Sequence, residues 1–281
     1  MKPGLWTRLK VWPQYLLPAH FLTALARRIS NCRWRWFSRL FIGVFVRAFA
    51  VDMSEAERGQ VRDYSCFDDF FTRRLKPGAR PLPADEGSLI CPADGTISAL
   101  GRLTGGRLIQ AKGVDYSAAD LLGSARRAEA FDGGHFMTVY LAPRDYHRVH
   151  SPLAGRVVEE ARIPGALFSV SEATTQVVPG LFCRNERMCA HIETARGPVA
   201  VVMVAAMLVA GIETVWGGAD DLRPPHEKRT VPVDGFELAR GAELGRFHWG
   251  STVIVMTPAG FPAWRNDLRP GVKVKMGQAL T

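Results

Sequence analysis

Acidic residues are absent from the first 50 residues of this 281-residue chain, although that segment contains nine lysines or arginines. The rest of the chain balances 27 basic against 27 acidic residues, so the whole net charge of +9 belongs to the N-terminal segment. Four of the seven tryptophans lie in the same segment, at positions 6, 12, 34 and 36. Basic residues interleaved with Trp, Phe and Leu predict a segment that lies on an anionic membrane surface. One alternative is a helical arm that is exposed to solvent. A second is a segment that binds nucleic acid, but this would leave the apolar side chains without a partner.

Long hydrophobic runs are also missing. The longest apolar run, residues 199–210, is twelve residues long, whereas a membrane-spanning helix needs about 20. Its valine content indicates a buried strand. At the N-terminus, Pro13, Pro18 and the pair Arg27 and Arg28 interrupt the apolar stretch that a signal peptide would require. We therefore expect a protein that lies peripherally on the cytoplasmic face of the cell membrane.

Cysteine is scarce, and the five cysteines form no Cys-x-x-Cys pair. An odd number without a regular framework is typical of a reducing compartment rather than of a disulfide-stabilised secreted protein. Cys183 and Cys189, with His191 nearby, lack a fourth ligand at metal-binding spacing, so we expect no metal site there. With 47% apolar and 22% charged residues, the chain has the composition of a folded body with a full core.

The apolar pattern changes along the chain. Residues 19–29 and 34–50 carry apolar side chains on one helical face with arginines elsewhere, which predicts two amphipathic helices. A third helix is expected over 54–61 because that segment begins with a capping sequence. From Pro77 onward, short apolar runs alternate with glycine and proline. The predicted class is therefore α+β, with N-terminal amphipathic helices and a mostly antiparallel β-barrel or sandwich.

Gly250 and Ser251 stand near the C-terminus, directly before an apolar strand. Glycine can hold a backbone conformation that most residues refuse, and so let a neighbouring hydroxyl reach its carbonyl carbon. If Ser251 Oγ attacks the Gly250 carbonyl, the amide becomes an ester; elimination leaves dehydroalanine, and hydrolysis of its imine tautomer leaves a pyruvoyl group. The pair is a candidate site of self-cleavage. An ordinary hairpin turn is the alternative for the dipeptide alone.

The run WGST at 249–252 is similar to the processing motif of phosphatidylserine decarboxylases, which is usually LGST. Five more blocks resemble that family in the same order: FDDFFTR at 67–73, PADG at 92–95, PRDYHRVH at 143–150, LFCRNER at 181–187 and IETVW at 212–216. The histidine block is specific, whereas PADG alone would be weak. Trp249 replaces the usual leucine with a larger apolar residue, which changes the packing beside the scissile bond.

The resemblance implies an enzyme, a carboxy-lyase that converts phosphatidylserine to phosphatidylethanolamine with a covalent pyruvoyl group made from Ser251. It implies self-cleavage into a β chain, 1–250, and an α chain, 251–281. The decarboxylase domain is expected over 63–281, after membrane-docking helices over 1–62. The pyruvoyl ketone would act as the electron sink that pyridoxal phosphate provides elsewhere, and no metal is expected.

Ser251 needs a base to take its hydroxyl proton, and His150 is the candidate, oriented by the carboxylate of Asp94 as in a Ser-His-Asp triad. The resemblance implies the same three residues for maturation, and it implies that His147 serves decarboxylation, in which we expect it to protonate the former α-carbon. Asp145 is expected to orient His147. If His147 and His150 were metal ligands, a third ligand would be missing. Two buried structural histidines are the remaining alternative.

Lys112, Arg144 and Arg148 are candidates for contacts to the lipid phosphate, with solvent-facing salt bridges as the alternative. The expected partners are phosphatidylserine in an anionic membrane surface and the two chains formed by cleavage. A homodimer is a further expectation, and nucleic acid is not expected. Two other classes of function stay open: a Ser-His-Asp esterase or peptidase that does not cleave itself, and a non-catalytic membrane-docked β module.

Overall fold

The computed structural model describes residues 4–111, 114–208, 211–218 and 226–281. Within these ranges the α-helices are α1 (Leu5–Val11), α2 (Ala19–Ser30), α3 (Arg35–Phe49), α4 (Phe67–Phe71), α5 (Ala118–Leu122), α6 (Ala125–Glu129), α7 (Glu172–Val177) and α8 (Leu181–Arg184). The strands are β1 (Gly95–Arg102), β2 (Arg107–Ala111), β3 (Val114–Ser117), β4 (His135–Leu141), β5 (Arg148–His150), β6 (Gly155–Ile163), β7 (Arg187–Thr194), β8 (Gly197–Val204), β9 (Ile212–Thr214), β10 (Arg229–Leu238), β11 (Glu243–Phe247), β12 (Ser251–Thr257) and β13 (Lys273–Val274).

Both predicted amphipathic helices are confirmed, as α2 and α3, with ends within one residue of the expected positions. Their apolar stripes point outward: α2 exposes Phe21 and Leu25, and α3 exposes Trp36, Leu40 and Val44. Trp36 is 67% exposed. Packing against the protein's own core therefore accounts for only part of each apolar face. No helix in the described ranges is long and apolar enough to cross a membrane.

The inner side of α3 builds a small aromatic core of its own. Ile42 and Phe45 are buried there with Tyr64 and the phenylalanines of α4. The ring of Phe45 lies 4.9 Å from that of Phe67 in an edge-on arrangement, which is favourable for aromatic pairs. This core fixes α4 under the N-terminal helices, and α4 in turn reaches the candidate site.

The helix expected over 54–61 is not formed. Ala56 makes an isolated bridge with Leu75, and the flanking backbone groups of Glu55 and Glu57 bond to the same later segment. Because these backbone groups pair across the chain, they are unavailable for helical i to i−4 bonds. Only a short 3-10 helix, Val61–Asp63, follows. The capping sequence was therefore overridden by tertiary pairing.

One eight-stranded sheet forms the body, in the order β10-β6-β7-β8-β12-β4-β1-β13, and every neighbouring pair is antiparallel. The predicted α+β class is confirmed. The sheet is open, with β10 and β13 at its edges in the described part of the chain. Of the two predicted architectures, the sandwich is therefore compatible with the structure and the closed barrel is not. β12 lies in the interior of the sheet, and all seven of its residues are buried.

A smaller sheet, β5-β11-β9, stands beside the large one and carries residues of the histidine block. The predicted strand over 199–210 is confirmed as β8 but ends at Val204. β11 ends at Phe247 and β12 begins at Ser251, so only three residues connect the small sheet to the large one. The predicted cleavage site lies at this connection.

Candidate active site

Strand pairing brings the histidine block to the Gly250–Ser251 bond. On the large sheet Ser251 pairs with Leu141, the last residue of β4. The chain then leaves β4 and returns as β5, which pairs with β11, and the backbone N–H of Phe247 donates to the carbonyl of His147 at 3.0 Å. The histidine block thus passes from the large sheet to the small one beside the connection between β11 and β12. Residues about 100 positions apart in sequence meet there.

The hydroxyl of Ser251 is buried and unpaired. The residue has no exposed surface, and Oγ has no hydrogen-bond partner among the described residues. A buried hydroxyl without a partner is unfavourable by about 1–3 kcal/mol and is uncommon away from functional positions. The unpaired Oγ leaves Ser251 available as the nucleophile that the sequence predicted.

The unusual backbone conformation falls on Trp249 rather than on Gly250. Trp249 has φ of 116°, in a region that residues with a Cβ avoid, whereas Gly250 is not among the residues with positive φ. A Cβ on Gly250 would meet the carbonyl oxygen of Leu141 at 3.5 Å and Nε2 of His147 at 3.7 Å, both ordinary contacts. The strain expected at the glycine is thus carried by its neighbour, and the glycine keeps the face toward His147 free of a side chain.

Trp249 is held by α2 and α4. Its indole N–H donates to Oγ of Ser30, the last residue of α2, at 2.9 Å. Its ring lies 4.8 Å from that of Phe67 and is stacked on that of Phe71 at 5.6 Å, both on α4. The larger side chain that replaces the usual leucine therefore fixes the scissile segment to the aromatic core.

His147 is fully buried beside this junction. Its Nδ1 lies 2.9 Å from the carbonyl oxygen of Asp145, which can only accept, so Nδ1 carries the proton and Nε2 presents a lone pair. Nε2 is buried and has no partner in the described ranges. Burial, and secondly the charge of Arg73, lower the pKa of His147 to about 3. The ring is neutral at physiological pH and its free nitrogen is a proton acceptor. Asp145 orients it through its backbone carbonyl rather than through its carboxylate.

His150 is buried with both ring nitrogens occupied. Nδ1 lies 2.8 Å from the carbonyl oxygen of Gly241, and Nε2 lies 2.9 Å from the hydroxyl of Tyr146. Burial lowers the pKa of His150, and the negative charge of Asp94 is among the smaller contributions that oppose it. Asp94 therefore acts on His150 through its charge and makes no hydrogen bond to the ring.

Asp94 is bound instead by Arg80 and by the C-terminal segment. Nε of Arg80 donates to it at 3.1 Å, Nη2 pairs with its second oxygen, and the backbone N–H of Met276 donates at 2.8 Å. Arg80 also pairs with Glu55 at 2.8 Å. The expected direct orientation of His150 by Asp94 is not what the structure shows, because these donors occupy the carboxylate.

The three basic candidates for lipid contacts have different outcomes. Arg148 is buried and donates to the carbonyl of Thr72 and to the carboxylate of Glu243, so its charge is used inside the protein. Arg144 is exposed and forms no ion pair within the described ranges. Lys112 lies outside the described residues. In those residues no group of three or more His, Cys, Asp or Glu side chains is arranged to hold a metal ion.

The chain is similar to known proteins over nearly its whole length. A family model described as phosphatidylserine decarboxylase matches residues 67–281, and a second, described as PSD, matches residues 9–50. The chain is 49% identical over 280 residues to the phosphatidylserine decarboxylase proenzyme of Ectopseudomonas mendocina, with 97% of each chain covered. It is 47% identical over 272 residues to the proenzyme of Methylococcus capsulatus, with 95% of this chain and 94% of the relative covered. The chain belongs to the phosphatidylserine decarboxylase family.

The site fits the pyruvoyl group that the resemblance to phosphatidylserine decarboxylases implies. Ser251, the expected precursor, has a buried hydroxyl without a described partner, and Nε2 of His147 lies near the preceding residue, Gly250. A buried hydroxyl that no other group engages, in a dry environment, is suited to an internal nucleophilic attack on the backbone.

Two buried charged side chains beside the candidate site of this phosphatidylserine decarboxylase family member escaped the sequence analysis. Arg73 is buried, donates through Nη2 to the carbonyls of Arg144 and Asp145, and has Nε and Nη1 without a partner in the described ranges. His248 is bonded to carboxylates on both sides. Arg73 lies within the noted block 67–73 and His248 directly precedes the block 249–252, but sequence spacing gives no sign that either side chain is buried.

Proposed function

We propose that this chain decarboxylates phosphatidylserine to phosphatidylethanolamine with a pyruvoyl group that it makes by cleaving itself between Gly250 and Ser251. The observation that carries the proposal is the hydroxyl of Ser251, which is buried and unpaired among the described residues directly after the scissile bond. The relatives, each named a proenzyme, support it and give no support to an uncut esterase or a non-catalytic β module.

Self-cleavage would begin when Ser251 Oγ loses its proton and attacks the carbonyl carbon of Gly250. The bond from that carbon to the nitrogen of Ser251 breaks, the nitrogen takes up the proton, and an ester replaces the amide. Loss of the α-proton then breaks the Cβ–O bond, which releases Gly250 as a carboxylate and leaves dehydroalanine at position 251. Water hydrolyses the imine tautomer of dehydroalanine, releasing ammonia and leaving the ketone. Atoms and charge balance without an external cofactor.

We propose that His150 and Asp94 promote cleavage and that His147 serves decarboxylation. His150 must give up its hydrogen bond from Tyr146 before Nε2 can accept the serine proton, and the charge of Asp94 favours the imidazolium that results. A second assignment makes His147 the base for Ser251, and it is favoured by one observation, the position of Nε2 beside Gly250. Single variants of the two histidines distinguish these assignments.

When present, the pyruvoyl group supplies an electrophilic carbonyl that accepts the substrate amine and withdraws electrons as carbon dioxide leaves. The ring of His147 is neutral and Nε2 has no partner among the described residues, so its lone pair is open to a proton from the substrate's ammonium group. It then returns that proton to the carbon from which carbon dioxide has left, so the histidine ends as it began. Arg144, exposed on the loop that carries His147, is the proposed contact to the lipid phosphate.

After cleavage the two chains are expected to stay together. β12, at the start of the 251–281 fragment, pairs with β4 on one side and with β8 on the other. The far end of the fragment is bonded as well, through Met276 to Asp94 and through Leu280 to Leu89. The fragment therefore remains part of the folded body without a covalent link. A homodimer remains a prediction.

We propose that the N-terminal helices dock on an anionic membrane surface at the cytoplasmic face of the cell membrane. Arg33, Arg35 and Arg39 line a shallow open groove with Trp34 and Trp36. None of these arginines forms an ion pair within the described ranges, so their charges are available to anionic headgroups, each contributing about 1 kcal/mol. The five cysteines are free thiols, as is typical of a reducing compartment. Because the acyl tails of the lipid substrate stay in the bilayer, the active site must lie at the membrane surface, and the docked helices would hold it there.

The intact mass of the purified protein tests the central proposal. Wild type should consist of residues 1–250 and a fragment 251–281 without a free amino group, whereas Ser251→Ala should be one uncut chain that forms no phosphatidylethanolamine. Thr252→Ala is a matched control that keeps the nucleophile and should be cleaved. A single uncut wild-type chain with decarboxylase activity would overturn the proposal.

Vesicle sedimentation tests the docking surface. The double variant Trp34→Ser, Trp36→Ser should bind vesicles containing anionic lipid less well than wild type. Ile109→Ser removes an exposed aliphatic side chain on β2 and should bind as wild type does. Equal binding of all three proteins, or binding of wild type to zwitterionic vesicles that salt does not weaken, would contradict the docking proposal.

A further inference from the structure

His248 is buried two residues before Gly250 and lies between two carboxylates. Its Nδ1 is 2.8 and 2.9 Å from the two oxygens of Asp68, and its Nε2 is 2.9 Å from an oxygen of Glu213. Asp68 belongs to α4 and Glu213 to β9, so the ring connects the aromatic core to the small sheet. Arg246 on β11 is the other charged partner of Glu213, at 2.6 Å.

This arrangement requires a charged ring. Carboxylate oxygens only accept hydrogen bonds, so a histidine between two of them carries a proton on each nitrogen. Burial opposes the charge, but the bonds to Asp68 and Glu213 outweigh it and raise the pKa of His248. The bond from His248 is likewise the main reason that the pKa of Glu213 falls to about 2. His248 is therefore a charged imidazolium where it connects Asp68 on α4 to Glu213 on β9.

Helix α4 supports three residues of the site at once. It supplies Asp68 to His248, and its Phe71 stacks on Trp249. Phe71 also lies against the ring of His147, with centroids 4.1 Å apart. A change in the contact between His248 and α4 is therefore transmitted to the scissile segment and to the histidine beside it.

We propose that the charged form of His248, clamped between Asp68 and Glu213, holds the Gly250–Ser251 bond in the geometry that self-cleavage requires. This inference rests on the proposed function. His248 touches none of the reacting atoms, so it is a positioning residue, and its effect is on the rate of cleavage. A small displacement of reacting groups is enough to slow such a step on the order of a hundredfold.

The proposal predicts an alkaline limit to self-cleavage. When His248 loses a proton, one ring nitrogen presents a lone pair to a carboxylate, and that contact becomes repulsive. Arg246 keeps its charge in this range. The pKa of His147 is about 3 and burial lowers that of His150, so both rings are neutral throughout and do not produce the alkaline limb. The rate should fall as pH rises through the pKa of His248.

Pulse-labelled precursor tests this limit. The chain is made by cell-free translation with labelled methionine, moved to buffers between about pH 6.5 and about pH 9.5, and followed by release of the fragment 251–281, which carries Met256 and Met276. We expect the wild-type rate to fall about tenfold for each pH unit above the pKa of His248, as for a step that needs one protonated group.

Two variants make the test specific. His248→Lys keeps the positive charge over the whole range, because lysine has a pKa of about 10.4, and it should show no alkaline limb. His248→Gln should be slow at every pH. His226→Gln replaces an exposed histidine and should reproduce the wild-type profile.

The outcomes separate this inference from the function on which it rests. If wild type is cleaved and His248→Gln shows the same rate and the same profile, the positioning role is wrong. If His248→Gln does not fold, the lysine variant decides, because a wild-type alkaline limb in His248→Lys also overturns the proposal. A wild-type chain that is never cleaved overturns the proposed function itself.

Discussion

The neutral state of His147 has a measurable consequence for stability at low pH. The folded protein holds the ring at a pKa of about 3, whereas the unfolded chain has the ordinary value of 6.5. Below about pH 6.5 the unfolded chain therefore binds a proton that the folded chain refuses, and folding becomes less favourable. The contribution of His147 is fully present above pH 6.5 and is lost as the pH falls toward 3.

The size of this effect follows from the two pKa values. Each pH unit between them changes the free energy of unfolding by about 1.4 kcal/mol, so lowering the pH from about 7 to about 5 should destabilise the protein by about 2 kcal/mol. His191, whose pKa burial lowers to about 4, and Glu186, whose pKa burial raises to about 7, titrate in the same range. The contributions of His191 and Glu186 to the free energy of unfolding cancel when two variants are compared, because both variants contain both residues.

Urea unfolding of uncut protein isolates the contribution of His147. Ser251→Ala and the double variant Ser251→Ala, His147→Gln are compared at both pH values by tryptophan fluorescence. The first should lose about 2 kcal/mol more than the second on acidification. His226→Gln in the same background should lose as much as the first. Parallel losses in all three would show that His147 protonates freely in the folded state, and the lowered pKa of the buried ring would be refuted.

Four further substitutions test other contacts at the site. His147→Ala should still release the C-terminal fragment but form no phosphatidylethanolamine, and His150→Ala should stay uncut; the reverse, seen by intact mass and lipid chromatography, would make His147 the base. Trp249→Leu should still be cleaved but unfold a few degrees lower in a thermal scan, since it loses an indole hydrogen bond of about 1 kcal/mol. Arg80→Met should lower the free energy of unfolding by about 3 kcal/mol in urea, because it leaves Asp94 buried without its ion pair; an unchanged value would contradict that pairing.

The sequence was sufficient for the elements whose pattern is local. The helices α2 and α3 follow from apolar spacing, and β12 follows from an apolar run after Ser251. The histidine block and the Gly–Ser pair indicated which residues belong to one site. Their meeting depends on β5 pairing with β11, which is a long-range event, and in this case the motifs identified it before the topology was known.

Contacts between side chains distant in sequence could not be predicted. A triad pattern does not reveal that Arg80 and Met276 occupy the carboxylate of Asp94. It also does not reveal that a positive φ falls on Trp249 rather than on the glycine, because that depends on how the aromatic core holds the indole. Burial and hydrogen-bond competition are properties of the assembled fold, and spacing does not encode them.

The interior position of β12 limits the working life of each molecule. Its first residue is the one that would carry the ketone, and the strand is hydrogen-bonded along both edges. A dissociable cofactor can be exchanged when it is damaged, but here replacement would require pulling a central strand out of an eight-stranded sheet. If residue 251 carries the ketone, a molecule whose reactive end is reduced or trapped cannot exchange it, and restoring activity would require synthesis of a new chain.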